Sequence, residues 1–172
     1  MDLQTFKQQI LPVQGRLFRL AKLFLRNREE AEDALQEVLM KLWMNRHQLD
    51  AYRSVEALAV QMTRNLCLDR LKTRAGRPMD DGALLENLQA ATVSPYRQTE
   101  LADSAGLMMR FVDALPEPQK LILHLRDVEE YSFEEIEEVT GLTVNNIRVI
   151  LSRARKSVRE NYLKANNYEA GH

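Results

Sequence analysis

Eight side chains between Thr143 and Lys156 carry the clearest chemical capacity in the chain: Thr143, Asn145, Asn146, Arg148, Val149, Ser152, Arg153 and Lys156. Amide and guanidinium groups can make paired hydrogen bonds to base edges, each pair worth about 1–3 kcal/mol of discrimination. A second set of donors follows Ser54: Arg64, Asn65, Arg70, Lys72 and Arg74, with Arg77 just beyond. A positive strip of this kind neutralises phosphates and weakens as salt rises. A charge run is by default a solvated helix face, but two separate basic helices in one chain argue for a polyanionic partner. Nothing comparable points to catalysis. There is no Walker motif, Gly-rich phosphate loop or His-Glu-x-x-His. His47, His124 and His172 lie far apart without ligand spacing, and are expected at the surface or partly buried. A lone Cys67 can form neither an internal disulfide nor a thiolate metal site, and it reads as a small buried hydrophobe. No enzyme activity, metal or cofactor is therefore expected.

Charge distribution sharpens this reading. The net charge of the 172 residues is −1. Residues 1–74 hold 13 basic and 9 acidic side chains, residues 75–130 hold 5 and 10, and residues 131–172 hold 6 and 6. Within 143–164 six basic residues face only Glu160. Two basic regions thus flank an acidic middle. No apolar run reaches membrane-spanning length, and the N-terminus lacks the basic-then-apolar layout of a signal peptide. A cytoplasmic protein is the expectation.

The elements that must position these groups read as helices throughout. Phe6, Ile10, Val13, Leu17, Leu20 and Phe24 form one stripe at helical spacing, with Pro12 predicting a kink or restart. Ala31, Leu35, Val38 and Leu42 form the next, opened by Asn27 and Glu30 in a capping-box layout. Val55, Ala59, Met62 and Leu66 form a third, capped by Ser54. No segment shows sustained strand alternation. Gly76, Pro78, Asp80-Asp81-Gly82 and Ser94-Pro95 interrupt the pattern, with room for a helical turn or two at Leu84–Leu88. Helices resume near Tyr96, with Leu101, Met108, Phe111 and Val112 on one face. The predicted fold is all-α: two small helical domains, 1–74 and 96–165, joined by a flexible linker at 75–95, with a fraying tail at 166–172.

The most informative stretch is 131–162. Ser132 and Glu135 form a capping box, Gly141 fits a left-handed helix end, and Thr143 can cap a second helix after a three-residue turn. Val144, Ile147, Leu151, Ala154 and Val158 give that helix a buried stripe opposite its donor-rich face. Such a unit is a helix-turn-helix, whose second helix enters the major groove of DNA N-terminal end first. The bland alternative is an ordinary αα-hairpin with a polar face.

Leu115-Pro116-Glu117, Tyr131-Ser132-Phe133-Glu134-Glu135-Ile136, Gly141-Leu142-Thr143-Val144 and Leu151-Ser152-Arg153-Ala154-Arg155 together resemble region 4 of sigma-70 family proteins. More narrowly they resemble the extracytoplasmic-function (ECF) group, which has only two structured domains. Glu30-Ala31-Glu32-Asp33-Ala34-Leu35-Gln36-Glu37-Val38 with Lys41-Leu42-Trp43 is similar to region 2.2, and Arg64–Leu71 resembles the end of region 2. The phrasing of Val139–Leu142 and Leu151–Lys156 is closest to Bacteroidetes-like members.

The resemblance implies a subunit that directs core RNA polymerase to promoters and helps open DNA for transcription initiation. It implies that Asp33, Gln36, Glu37, Met40 and Lys41 contact the β′ clamp helices, with Trp43 more at home in the core. It places the −10 element on Asp50, Tyr52, Arg53, Arg64, Asn65, Arg70, Lys72 and Arg74. Asn65 matches the position that holds an unpaired base, and Leu49–Arg53 matches the loop that receives a flipped base, whose extrusion costs a few kcal/mol. It places the −35 element on the Thr143–Lys156 set and the β flap against Leu115–Asp127. An anti-sigma factor is the implied regulator, and the free chain is expected to be a monomer. The acidic linker could compete with DNA for the basic helices.

Two departures stand out. Leu58 occupies a position, seven before Asn65, where many ECF members carry Trp, and no aromatic residue lies between Tyr52 and Tyr96. The stacking platform common in single-strand binders is thus missing, so strict promoter demands are expected. Glu137 stands four residues before Gly141, where helix-turn-helix units usually have Ala, and must bend outward because its burial would be costly. Two rivals are a dimeric helix-turn-helix repressor or activator, for which no dimerisation heptads are evident, and a protein-interaction adaptor, against which the basic helices count.

Overall fold

In the computed structural model, residues 1–75 and 100–170 are described, with side-chain surroundings in the second stretch described for 106–167. The expected linker beyond Ala75, including Arg77 and Leu84–Leu88, lies outside the described residues, as do Tyr96 and His172. Every regular element among the described residues is helical, and they fall into two compact units.

In the first unit α1 (Leu3–Ile10) starts at Asp2, whose carboxylate accepts from Thr5 N at 2.8 Å. Pro12 converts the chain to a short 3-10 turn (Leu11–Val13) because it has no N–H to continue the ladder. The helix then restarts as α2 (Gln14–Leu25). Leu17, Leu20, Ala21 and Phe24 of α2 are buried where it packs on both α3 (Arg28–Met44) and α4 (Val55–Ala75). Full burial of a leucine contributes about 1.5–3 kcal/mol, so this row anchors the unit. Asn27 caps α3 by accepting from Glu30 N at 2.9 Å, while the Glu30 carboxylate takes Arg74 of α4. Ser54 caps α4 by accepting from Ala57 N at 3.0 Å.

Two stripes differ from expectation. In α3 the fully buried positions are Ala31, Ala34, Val38 and Leu42, with Leu35 only half-buried. In α4 they are Ala57, Ala59, Val60, Thr63 and Cys67, while Val55, Met62 and Leu66 are half-buried. Small side chains at the α3 and α4 contacts let the helices approach closely, and the bulkier neighbours spread to the margin. Thr63 can sit there because its hydroxyl donates to Ala59 O at 2.8 Å. Trp43 is half-buried, edge-on to Phe6 at 5.1 Å with the Arg46 guanidinium over its ring at 4.1 Å.

In the second unit α5 (Glu100–Asp113) and α6 (Glu117–Leu123) pack on the long α8 (Val144–Ala170). Leu115, Ala154 and Val158 form a cluster flanked by Phe111, Val112 and Leu123. The helix expected to fray from Asn166 continues to Ala170. α6 widens into a π turn (His124–Val128), after which Glu130, at φ 60°, reverses the chain toward α7 (Phe133–Thr140). His124, expected at the surface or partly buried, is buried 3.6 Å from the buried Glu129 carboxylate, and Lys120 lies buried 3.8 Å from Asp113. The buried Lys120 ammonium thus has a carboxylate partner that offsets its desolvation.

Candidate nucleic-acid interface

The helix-turn-helix is built by local rules. Ser132 accepts from Glu135 N at 3.1 Å, and the Glu135 carboxylate accepts from Ser132 N at 3.1 Å, so α7 starts on a reciprocal cap. Gly141 ends it at φ 75°, a left-handed conformation that glycine adopts without a Cβ clash. Thr143 opens α8 by accepting from Asn146 N at 3.2 Å. Ile147, Leu151, Ala154 and Val158 are buried, and Val144 is half-buried.

That inward row decides the rest. Thr143, Asn145, Asn146, Arg148, Val149, Ser152, Arg153 and Lys156 are all exposed on the cap and first four turns of α8. Val149, 47% exposed, offers an apolar group of the kind that can meet a thymine methyl. Arg148 lies 5.1 Å above the Phe133 ring, which also carries Arg126 at 4.4 Å. Arg126 donates to Tyr131 O at 2.8 Å and so closes the π turn onto the start of α7. Arg155 forms a two-point pair with Asp127 at 3.0 and 2.5 Å, which raises its pKa through hydrogen bonding and ties α8 to the π turn. Neither this pairing nor the π turn has a local sequence signature.

Glu137 bends outward, as expected, and there its carboxylate accepts from Val144 N at 3.1 Å. It satisfies one of the open amides at the start of α8 and places negative charge at the positive helix end.

In the first unit Asp50, Tyr52 and Arg53 are exposed around the 3-10 turn Arg46–Ala51, anchored by buried Leu49. The Asp50 carboxylate lies 3.7 Å from the N-terminal amine. Asn65 and Lys72 are exposed, and the half-buried Arg64 donates to Asn65 Oδ1 at 3.3 Å. Arg70 and Arg74 behave differently. Arg70 reaches Glu37 at 2.5 Å and Asp33 at 3.0 Å, and Arg74 pairs with Glu30. The Arg70 bond holds the Glu37 carboxylate below its ordinary range, opposed by burial and aided by Lys41. On Arg70 itself burial works downward, but Glu37 and Asp33 outweigh it. Gln36, Met40 and Lys41 are exposed on the same side of α3, with Met40 63% exposed and Met44 one turn on at 71%.

Two family descriptions match in chain order: Sigma-70 region 2 over residues 10–77 and Sigma-70, region 4 over residues 105–158. Together they span well over half of the chain. RNA polymerase sigma factor SigV of Bacillus subtilis is 29% identical over 83% of this chain and 81% of its own length. The ECF RNA polymerase sigma factor SigM of the same organism is 24% identical over 89% and 92%. A probable RNA polymerase sigma factor RfaY of Xanthomonas campestris is 28% identical over 94% of this chain, which spans only 41% of that longer protein. Among solved structures, the sigma factor RpoE bound to the anti-sigma factor NepR, from Bartonella quintana, has the same fold, with a TM-score of 0.68 at 22% identity over 94% of this chain and 98% of that one. No described helix is long and apolar enough to cross a membrane. With both regions present in order, the chain belongs to the sigma-70 family of RNA polymerase sigma factors, in its ECF group.

Proposed function

We propose that the chain directs core RNA polymerase to a specific set of promoters by reading the −35 element with α8 and the −10 element with the 3-10 turn Arg46–Ala51 and α4. The observation that carries this is the donor row Thr143–Lys156, wholly exposed on a helix whose opposite row is buried. Thr143, Asn145, Asn146, Arg148, Val149, Ser152, Arg153 and Lys156 are assigned to −35 DNA. Asp50, Tyr52, Arg53, Arg64, Asn65 and Lys72 are assigned to −10 DNA; Arg70 and Arg74, expected in the same set, are set aside because their guanidiniums are engaged by Asp33, Glu37 and Glu30. Asp33, Gln36, Glu37, Met40 and Lys41 are assigned to the β′ clamp helices. The segment around Leu115–Asp127 is assigned to the β flap.

The working division of the chain is 1–74 for region 2, 75–95 as linker, 96–165 for region 4 and 166–172 as tail. The protein acts in the cytoplasm, has no catalytic chemistry of its own, is monomeric when free and is restrained by an anti-sigma factor. The wording of Val139–Leu142 and Leu151–Lys156 supports a Bacteroidetes-like member.

With Leu58 in place of an aromatic, strand opening relies on the base pocket at Leu49–Arg53 and on charge, which makes promoter demands strict. Run-off transcription on genomic fragments is the test. Transcripts from a narrow promoter set, only with both core enzyme and this chain present, are expected. Binding to duplex DNA as a symmetric dimer without polymerase would instead mark a conventional repressor or activator.

A further inference from the structure

Glu30, Asp33 and Glu37 occupy one row of α3 at spacings of three and four residues, which places like charges on successive turns. Left alone these carboxylates repel one another and splay. Arg70 and Arg74, one turn apart on α4, match that spacing: Arg70 sits between Asp33 and Glu37, and Arg74 takes Glu30. Arg70 also points a second nitrogen at Glu30 O, 3.5 Å away. Its side chain is only 24% exposed, whereas that of Asp33 is 74% exposed. Arg70 is thus the most covered member of the set, and Asp33 presents its remaining lone pairs to solvent beside the half-covered Glu37.

We propose, resting on the sigma-factor reading, that Arg70 is a positioning residue for polymerase binding and not a ligand of promoter phosphates. It fixes the rotamers of Asp33 and Glu37 on the face of α3 that also carries Gln36, Met40 and Lys41, so that polymerase donor groups meet a preset acidic row. The Arg70 Nη2 bridges because one terminal nitrogen carries two N–H donors, one for each carboxylate, while Nη1 is turned to Glu30 O. A phosphate could recruit Arg70 only by breaking both contacts, whereas Lys72 is exposed and has no such cost.

The test measures two quantities on Arg70→Gln, Arg70→Lys and Lys72→Gln in the full chain: affinity for core polymerase, and the salt slope of promoter binding by preassembled holoenzyme. For Arg70→Gln, core affinity is expected to fall about tenfold, the scale of one charge-assisted pair, with the salt slope unchanged. Arg70→Lys should recover much of the affinity, which loss of fold would not allow. Lys72→Gln should leave core affinity intact and reduce the slope by about one. A reduced slope for Arg70→Gln, or unchanged core affinity, overturns the positioning role. Failure of the unaltered chain to bind core polymerase would instead refute the sigma-factor reading beneath it.

Discussion

Glu137 shows how one side chain can both break a pattern and mend the structure it occupies. A carboxylate where a small residue is usual cannot enter the α7–α8 crossing, so it folds over the turn and caps Val144 N. Loss of a helix cap costs about 0.5–2 kcal/mol. Glu137→Ala should therefore lower unfolding stability by that amount, read as a shift in the denaturant midpoint, and unchanged stability would deny the cap any role. Cys67 makes a separate point. Burial pushes its thiol up to about 11, so the neutral form is kept in the folded state. Its contribution is fully present below the ordinary thiol range and is lost as pH rises through the folded value. At pH 8 a thiol-specific reagent should label Cys67 only on unfolding, and rapid labelling of the native protein would contradict its burial.

At the scale of elements, the helix-turn-helix depends on a left-handed residue between two capped helices. Gly141→Ala puts a Cβ in that conformation, at a cost of about 1–2 kcal/mol. A lower melting temperature with unchanged helical content at low temperature is the expected result, and an unshifted melt would show that the turn relaxes. Exposed residues of α8 act on recognition instead. Arg153→Ala should leave the melt within about 0.5 kcal/mol of wild type, as surface changes do, and Arg148→Ala should cost at most about 1 kcal/mol, the worth of its stacking on Phe133. Where an arginine reads a base, its loss relaxes preference at one −35 position by about 1–3 kcal/mol; where it holds a phosphate, binding weakens on all sequences. Transcription from a library randomised at the −35 element separates these outcomes, and unaltered output from both variants would contradict the assignment of α8.

Across the whole molecule, features set by neighbours in sequence were legible and those set by distant partners were not. The caps at Asn27, Ser54, Ser132 and Thr143 and the turn at Gly141 each use residues within four positions, so they read directly from the chain. The inner row of α8 was equally plain because its opposite face is polar. In α3 and α4 apolar residues lie on more than one side, and periodicity alone favours Leu35 and Met62 over the smaller Ala34 and Thr63 that the helix contacts select, whereas Cys67 is buried as its type predicts. Arg70 read as one more member of a basic strip, because its partners Asp33 and Glu37 lie more than thirty residues away. The π turn has no signature for a related reason: Arg126 and Asp127 are satisfied by Tyr131 and Arg155, and the Glu129 N–H donates to His124 O, in an arrangement no short motif encodes.

Dependence on a larger machine is the claim on which the functional account stands. Titration of the labelled 172-residue chain with core polymerase lacking a specificity subunit, followed by fluorescence anisotropy, measures it most directly. Saturable one-to-one binding that an unlabelled sigma factor displaces is the predicted result. An anisotropy that never rises, with polymerase in large excess over the chain, would contradict it.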